Sequence, residues 1–197
     1  MSRKTIRDIR NEEFIEATLH AVYERGYHSV TLSEIAQVVG ATAASINYYF
    51  GSKDKLIEAT MRRLLSVLRT ALIERLHSAT TPKERVQAIL EANFDDRLFE
   101  MKQCSVWVQF WSAAPYSPDL ARLQNINRAR VRSHFRKELR QLVPHHQIET
   151  VRRVLQSYMD GVWLQAAQTN APLNAANART EALHVLDLLL INPDRAL

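Results

Sequence analysis

Aromatic rings and one carboxylate in the C-terminal part of the chain have the spacing of a site for an organic cation. Trp107 and Trp111 are four residues apart in an apolar segment, so they share one face of a predicted helix. Asp160 precedes Trp163 by three residues and shares a face with it in the same way. A quaternary ammonium group has no N–H to donate, so proteins bind it through ring faces and a counter-charge. These residues therefore indicate a ligand site for such a cation.

The same spacing also suits an ordinary helical core, and the sequence leaves both interpretations open. Asp160 could form a salt bridge with an arginine such as Arg128, Arg130 or Arg132 instead of a ligand. The effector could also be a lipophilic drug, a fatty acid or a polyamine, although a neutral ligand would not need the carboxylate. The candidate ligand-binding residues are Trp107, Phe110, Trp111, Tyr158, Asp160 and Trp163.

A second pattern, over residues 31–56, predicts two short helices joined by a glycine turn and followed at once by a third helix. Thr31 and Glu34 have the spacing of a capping box, in which each side chain binds a free backbone N–H at a helix start. Gly40 suits the left-handed turn that ends this helix, and Thr42 can cap the next one. This arrangement is typical of a helix-turn-helix, whose second helix enters the major groove of DNA.

The second helix of this motif should have an inward and an outward face. Ile46 and Phe50 are four residues apart and should point inward, and Gly51 ends the helix. The outward residues, the helix start and the first residue of the following helix are expected to contact bases or phosphates. The candidate DNA-binding residues are Thr42, Ala43, Ala44, Ser45, Asn47, Tyr48 and Lys53.

This N-terminal region resembles the TetR family of transcriptional repressors. One departure is Asn47, because many members have a tyrosine there that contacts a phosphate; here Asn47 could bind phosphate or adenine, and Tyr48 could contact the phosphate instead. The resemblance implies a double-stranded DNA operator as partner and a homodimer. The matching residues are Phe14, Ala17, Gly26, Thr31, Glu34, Ile35, Ala36, Gly40, Tyr49, Phe50, Lys53 and Leu56.

Four segments characterise the rest of the chain: LIEATMR (56–62), NFD (93–95), VWVQFWSAA (106–114) and DGVWLQAA (160–167). Through these segments it resembles choline-responsive repressors within that family. The resemblance implies that choline is the effector and that its binding weakens repression of genes for converting choline to glycine betaine. It also implies that ligand moves the helix linking the domains and so changes the spacing of two recognition helices.

The resemblance further implies that the last two helices form a four-helix interface with a second copy of the chain. The alternative is that their apolar stripes form only an intramolecular core. The stripe positions are Leu155, Val162 and Ala166 in one helix and Leu183, Leu186 and Leu190 in the other.

The composition predicts an all-α protein, because only four glycines and six prolines interrupt strong helical periodicity. We expect an N-terminal helix-turn-helix DNA-binding domain over residues 1–52 and a larger helical ligand-binding and dimerisation domain over residues 53–197. Besides the pair in the motif, the predicted helices cover residues 9–25, 53–79, 82–98, 102–114, 117–142, 145–170 and 174–191.

Several classes of protein are excluded by what the sequence lacks. No apolar run approaches the roughly 20 residues that cross a membrane, and the charged start MSRKTIRDIR is no signal peptide, so we expect a cytoplasmic protein. The chain has one cysteine, and it lacks an HExxH pair, a G-x-S-x-G motif and a glycine-rich phosphate loop. These features argue against a metal site, against a cofactor and against an enzyme that acts on a small amine. A helical interaction module without a DNA role remains an alternative.

The net charge of +5 suits a polyanionic partner, but residues 1–60 hold seven basic and eight acidic side chains. The basic character of this region lies near its start. The basic residues there are Arg3, Lys4, Arg7 and Arg10. They form either a solvated terminus or an arm that contacts DNA phosphate or the minor groove.

Overall fold

The computed structural model describes residues 5–169 and 171–191, and every regular element within them is helical, which confirms the predicted all-α class. None of the helices in these residues has the length and apolar character to cross a membrane. Short 3-10 helices at Ala114–Tyr116 and His145–Gln147 precede the seventh and eighth α-helices. The α-helices are α1 (Ile6–Arg25), α2 (Leu32–Val38), α3 (Ala43–Phe50), α4 (Lys53–Ser78), α5 (Pro82–Asn93), α6 (Met101–Ala113), α7 (Pro118–Leu139), α8 (Ile148–Ala166) and α9 (Ala175–Ile191).

Helices α1, α2 and α3 form a three-helix cluster against the first part of α4. The predicted capping box is present: the Thr31 hydroxyl accepts a hydrogen bond from the Glu34 N–H at 3.2 Å, and the Glu34 carboxylate accepts one from the Thr31 N–H at 2.8 Å. Gly40 has a φ of 61°, the left-handed conformation that glycine adopts without strain. Ile46 is fully buried beneath α3. Local signals therefore determine both helices of the motif.

The predicted basic arm is only partly described. Arg3 and Lys4 lie outside the described residues, whereas Arg7 and Arg10 are exposed in the first turns of α1. This helix starts at Ile6, three residues earlier than predicted, because the side chain of its N-terminal cap, Thr5, forms a second capping box. The two described arginines therefore belong to a helix and not to an extended arm.

The turn after α5 shortens that helix relative to the prediction, since α5 ends at Asn93 and not near residue 98. Asp95 is buried in this turn, and its carboxylate accepts hydrogen bonds from Arg75 and Arg97, each at 2.7 Å. Burial raises the pKa of Asp95, but the hydrogen bonds from both arginines outweigh it and hold the pKa well below its usual range. This charged turn then leads to α6.

The last two helices differ in part from the expected stripes. Leu155, Ala166 and Leu186 are buried within the chain, so they serve its own core. Helix α8 also ends at Ala166, before the predicted residue 170. The large apolar side chains that these two helices leave exposed are Val154, Leu164, Leu188 and Ile191.

Candidate functional site

A cavity lies among α4, α5, α6, α7 and α8, and we call it the tryptophan cavity because all three tryptophans of the chain line it. It holds about 580 Å³ of empty space, its open mouth included. Concave sites lined by aromatic and apolar side chains with a few polar groups commonly bind small molecules. Its lining residues are Met61, Leu68, Asn93, Leu98, Trp107, Trp111, Gln124, Asn127, Arg128, Val131, Gln156, Met159, Asp160 and Trp163.

Two of the tryptophans form an aromatic corner in the cavity wall. The ring centroids of Trp107 and Trp163 are 5.2 Å apart, and the ring planes are inclined by 50°. Each residue is only 3% exposed, so packing holds both rings in place. The indole N–H of Trp163 donates a hydrogen bond to the Asn93 side-chain oxygen at 2.8 Å, which sets the direction of its ring. The half-buried Trp111 adds a third indole to the wall.

Asp160 places a negative charge beside this aromatic corner. Burial raises the pKa of Asp160 above its ordinary value, and the positive charge of Arg128 partly opposes that rise. In the described part of the chain no ion pair or hydrogen bond engages the Asp160 side chain. A half-buried carboxylate without a direct partner is costly, and a cation in the cavity would compensate it.

Two of the six predicted ligand residues do not line the cavity. Phe110 is buried on another side of α6, where its ring lies edge-on to that of Tyr27 at a centroid distance of 6.1 Å. Tyr158 is half-buried, and both burial and the charge of Glu181 raise its pKa. The helical rotation of about 100° per residue explains both corrections, because neighbouring aromatic residues cannot all share one face.

The cavity also contains polar residues that the sequence analysis missed. Asn93 comes from the end of α5, Gln124 and Asn127 come from α7, and Gln156 comes from α8. The sequence predicts Arg128 only as a possible partner of Asp160. The spacing of Gln124, Asn127 and Arg128 on one helix was the available signal, but nothing local shows that this face meets α6 and α8.

The other predicted site, the outward surface of α3, is formed by residues that are close together in sequence. Ala44, Asn47 and Tyr48 are exposed, and Tyr48 is 79% exposed. Thr42 caps the helix, and its hydroxyl accepts a hydrogen bond from the Ser45 N–H at 3.1 Å. Ala43 and Ser45 are half-buried. We call the exposed set Thr42, Ala44, Asn47 and Tyr48 the α3 face.

Lys53 lies beside this surface, in the first turn of α4. It is half-buried, and its ammonium group donates a hydrogen bond to the Tyr27 carbonyl oxygen at 3.5 Å. That contact is long for a hydrogen bond, so it leaves the charge available to a second acceptor. The sequence of α3 itself contains no charged residue.

Two family matches decide the identity of the chain. The family described as bacterial regulatory proteins, tetR family, matches residues 14–60. The family described as BetI-type transcriptional repressor, C-terminal, matches residues 82–191. The chain belongs to the TetR family of transcriptional regulators. It is therefore a regulator and not an enzyme, and its C-terminal part is of the BetI type.

Individual relatives agree with this assignment. The HTH-type transcriptional regulator BetI of Escherichia coli O157:H7 is 35% identical over 188 residues, which cover 94% of this chain and 96% of the relative. A solved putative transcriptional regulator from Pseudomonas aeruginosa PAO1 has the same fold, with a TM-score of 0.77, 22% identity and coverage of 98% and 95%. Another, from Saccharomonospora viridis and in complex with choline, has a TM-score of 0.74, 22% identity and coverage of 92% and 95%.

One polar side chain links the tryptophan cavity of this TetR-family regulator to its N-terminal helices. Gln109 lies on α6 between the two cavity tryptophans of that helix. Its side-chain oxygen accepts a hydrogen bond from the Tyr27 N–H at 2.7 Å, and its amide group donates one to the Val22 carbonyl oxygen at 3.4 Å. Val22 lies in the last turn of α1 and Tyr27 lies just after the helix ends, so a shift of α6 acts directly on the end of α1.

A cluster of ion pairs makes a second link, between α7 and the start of α4. Glu58 of α4 is buried, and it binds Lys55 at 2.9 Å and Arg122 of α7 at 3.3 Å. Lys55 also binds Asp119 of α7 at 2.8 Å. Helix α7 also lines the cavity further along its length. A movement of α7 would therefore shift the first turns of α4, which directly follow α3.

Proposed function

We propose that this TetR-family regulator represses transcription as a homodimer on operator DNA and that choline, bound in the tryptophan cavity, releases it. The observation that carries the effector is the aromatic corner of Trp107 and Trp163 beside Asp160, which has no direct partner in the described residues. The genes that it represses would be those for converting choline to glycine betaine. The working division is a DNA-binding domain over residues 1–52 and a ligand-binding and dimerisation domain over residues 53–197.

The α3 face supplies the contacts to DNA in this proposal. Asn47 is exposed near the middle of α3, so its amide can form two hydrogen bonds with an adenine edge in the major groove. Tyr48 and Thr42 lie on either side of Asn47 in the sequence and contact phosphates. Lys53 contacts a phosphate as well. Ala43, Ala44 and Ser45 let the helix approach the base edges closely.

The exposed apolar side chains of α8 and α9 support the homodimer. Leu188 and Ile191 are each 70% exposed, and Leu164 is 44% exposed. Leu188 and Ile191 are three residues apart and share one face of α9, and large apolar side chains exposed on one face are typical of an interface. A second copy would pack α8 and α9 against their equivalents and present two α3 helices to two half-sites of the operator.

Choline fits the chemistry of the cavity better than a neutral ligand does. Its trimethylammonium group offers no N–H donor, so the faces of Trp107, Trp111 and Trp163 and the charge of Asp160 are suitable partners. Polar side chains such as Gln124 and Asn127 are available to its hydroxyl group. The solved regulator from Saccharomonospora viridis, which has a similar fold and is in complex with choline, supports this proposal.

The two links described above would carry the effect of choline to DNA. A ligand that orders α6 and α7 around the cation would displace Gln109, which contacts the C-terminal end of α1, and the Lys55–Glu58 cluster, which lies in the first turns of α4 directly after α3. Regulation requires different affinity for the two states of the dimer. A 100-fold difference corresponds to about 2.7 kcal/mol, which is enough for substantial release from DNA.

The test compares choline with 3,3-dimethylbutan-1-ol, its neutral carbon isostere. Tryptophan fluorescence should change saturably with choline at micromolar to millimolar concentration, and the isostere should bind far more weakly because it lacks the charge. Choline should also weaken the binding of a fluorescent operator duplex by the same protein. Equal binding of the two compounds would refute the cation site and favour a lipophilic effector. Choline binding without any effect on DNA would refute the release.

A further inference from the structure

A second cavity, which we call the outer chamber, lies against the tryptophan cavity between α4, α5 and α7. It holds about 590 Å³ of empty space, its opening included. Leu65, Leu72, Ile89 and Ala92 give it an apolar lining. It has no counterpart of Asp160, and its chemistry is that of a site for a hydrocarbon chain.

The two cavities share one layer of side chains. Leu68, Asn93, Asn127 and Val131 line both of them. Asn93 is the residue that accepts the hydrogen bond from Trp163, so it stands at the boundary between the aromatic corner and the outer chamber. A ligand with its cation at the aromatic corner therefore needs to pass only this layer to reach the second space.

Basic side chains surround the opening of the outer chamber. Arg69 and Arg130 are exposed and His134 is half-buried, and all three line it. None of these three forms an ion pair with another residue in the ranges 5–169 and 171–191. The positive charges of Arg69 and Arg130 oppose a second cation at this end of the site and tolerate a neutral or anionic group.

We propose that the effector site is bipartite and takes a quaternary ammonium compound with a single positive charge and an apolar chain of several carbons. The ammonium group binds at the aromatic corner and Asp160, and the chain extends past Asn93 and Asn127 into the outer chamber. The inference rests on the cation site of the proposed function and deepens it. Choline would then be the smallest member of a ligand class that includes alkyl and short acyl derivatives.

The experiment is a calorimetric titration of the full chain with tetramethylammonium, butyltrimethylammonium, hexyltrimethylammonium and hexamethonium. Each methylene group that enters the outer chamber should raise affinity by up to about fourfold. Hexamethonium has the hexyl chain but a second ammonium group at its end, so it should bind at least about tenfold more weakly than hexyltrimethylammonium because of the basic opening.

Two neighbouring substitutions on α4 locate the chain. Leu72→Asn makes the lining of the outer chamber polar, and it should reduce the gain per methylene while leaving tetramethylammonium affinity unchanged. Ile73→Asn is the matched control, because Ile73 is 56% exposed and does not line the chamber. It should alter neither quantity.

The outcomes separate this inference from the proposed function. Equal affinity for tetramethylammonium and its hexyl derivative would overturn the bipartite site and leave the cation site intact. An undiminished gain per methylene in Leu72→Asn would overturn the outer chamber as its location. If the folded protein binds none of these compounds and does not bind choline either, the cation site and the bipartite site are both overturned.

Discussion

The α3 face and the tryptophan cavity are built in opposite ways. The α3 face consists of near neighbours in sequence, from Thr42 to Tyr48, on one short helix with its own cap. The cavity takes side chains from five helices, and its lining extends from Met61 to Trp163. A site on one helix depends on local signals, whereas a site between helices depends on how those helices pack.

The two regions also differ in how they use charge. Helix α3 has no charged side chain, and its exposed polar groups are hydrated; in the proposed complex DNA would replace that water. In the cavity, Asp160 is partly buried and has no direct partner among the described residues. This unpaired carboxylate favours the binding of a cation. Substitutions should therefore have large effects on ligand binding in the cavity and moderate, sequence-dependent effects on DNA binding at α3.

The largest effect is expected from Asp160→Asn, which keeps the side-chain size and removes the charge. Choline affinity should fall by about 100-fold, because loss of one partner from a desolvated charge pair costs several kcal/mol. Operator affinity without ligand should stay within about twofold, since Asp160 lies far along the chain from α3. Calorimetry and fluorescence anisotropy measure the two quantities.

Asp96→Asn is the control for that prediction, because Asp96 is an exposed carboxylate outside the cavity that pairs with Arg179. It should leave choline affinity unchanged. A loss of choline binding no greater than twofold in Asp160→Asn would remove the counter-charge from the proposal.

A smaller effect, about tenfold, is expected on operator binding from Asn47→Ala, because a bidentate contact to a base contributes about 1–3 kcal/mol. Binding to random duplex DNA and to choline should not change. Lys53→Ala is the companion variant: it should weaken binding to all DNA and flatten the salt dependence. If Asn47→Ala weakens operator and random DNA equally, Asn47 contacts phosphate and not a base.

Gln109→Leu should affect neither binding step strongly but should weaken the coupling between them. The leucine keeps much of the volume and removes the hydrogen bonds to Tyr27 and Val22. The ratio of operator affinities without and with choline should fall by about fivefold, within the usual range of coupling free energies. Operator titrations at zero and saturating choline measure it, and an unchanged ratio would exclude this link.

The smallest effect concerns stability without ligand. Since burial raises the pKa of Asp160, the folded state keeps this proton to a higher pH than the unfolded state does. The ionised carboxylate therefore lowers the free energy of unfolding above the folded-state pKa, and this loss disappears as pH falls below the unfolded-state value. Asp160→Asn should be slightly more stable than the wild type at pH 7 and equally stable near pH 3, as measured by thermal unfolding. A less stable variant at pH 7 would show that Asp160 serves a structural pair with Arg128.

The success of sequence-based prediction differs between the two regions for a physical reason. Thr31, Glu34, Gly40 and Thr42 act within a few residues of themselves, and the helices of the motif begin and end as predicted. In the cavity, the spacing of Trp107, Trp111, Asp160 and Trp163 was informative because a helix keeps residues three or four apart on one face. Their assignment as ligand contacts remains a prediction.

The failures involve rotation about a helix axis and contacts between helices. Phe110 and Tyr158 share helices with cavity residues but point elsewhere, and composition cannot distinguish one apolar face from another. Leu155 and Leu186 were expected at a dimer interface, yet both are buried in the chain's own core. In the turn that follows the early end of α5, Asp95 accepts a hydrogen bond from Arg75, which is distant from it in sequence.

By itself the sequence determined the all-α class, the helix-turn-helix and the pair of aromatic segments, because capping, glycine turns and helical periodicity act over a few residues. Only the tertiary structure decided that Asn93, Gln124, Asn127 and Arg128 join the tryptophans around one cavity and that Gln109 reaches α1. Those contacts depend on the rotation and packing of whole helices. Residues far apart in sequence set them jointly, so no local pattern contains them.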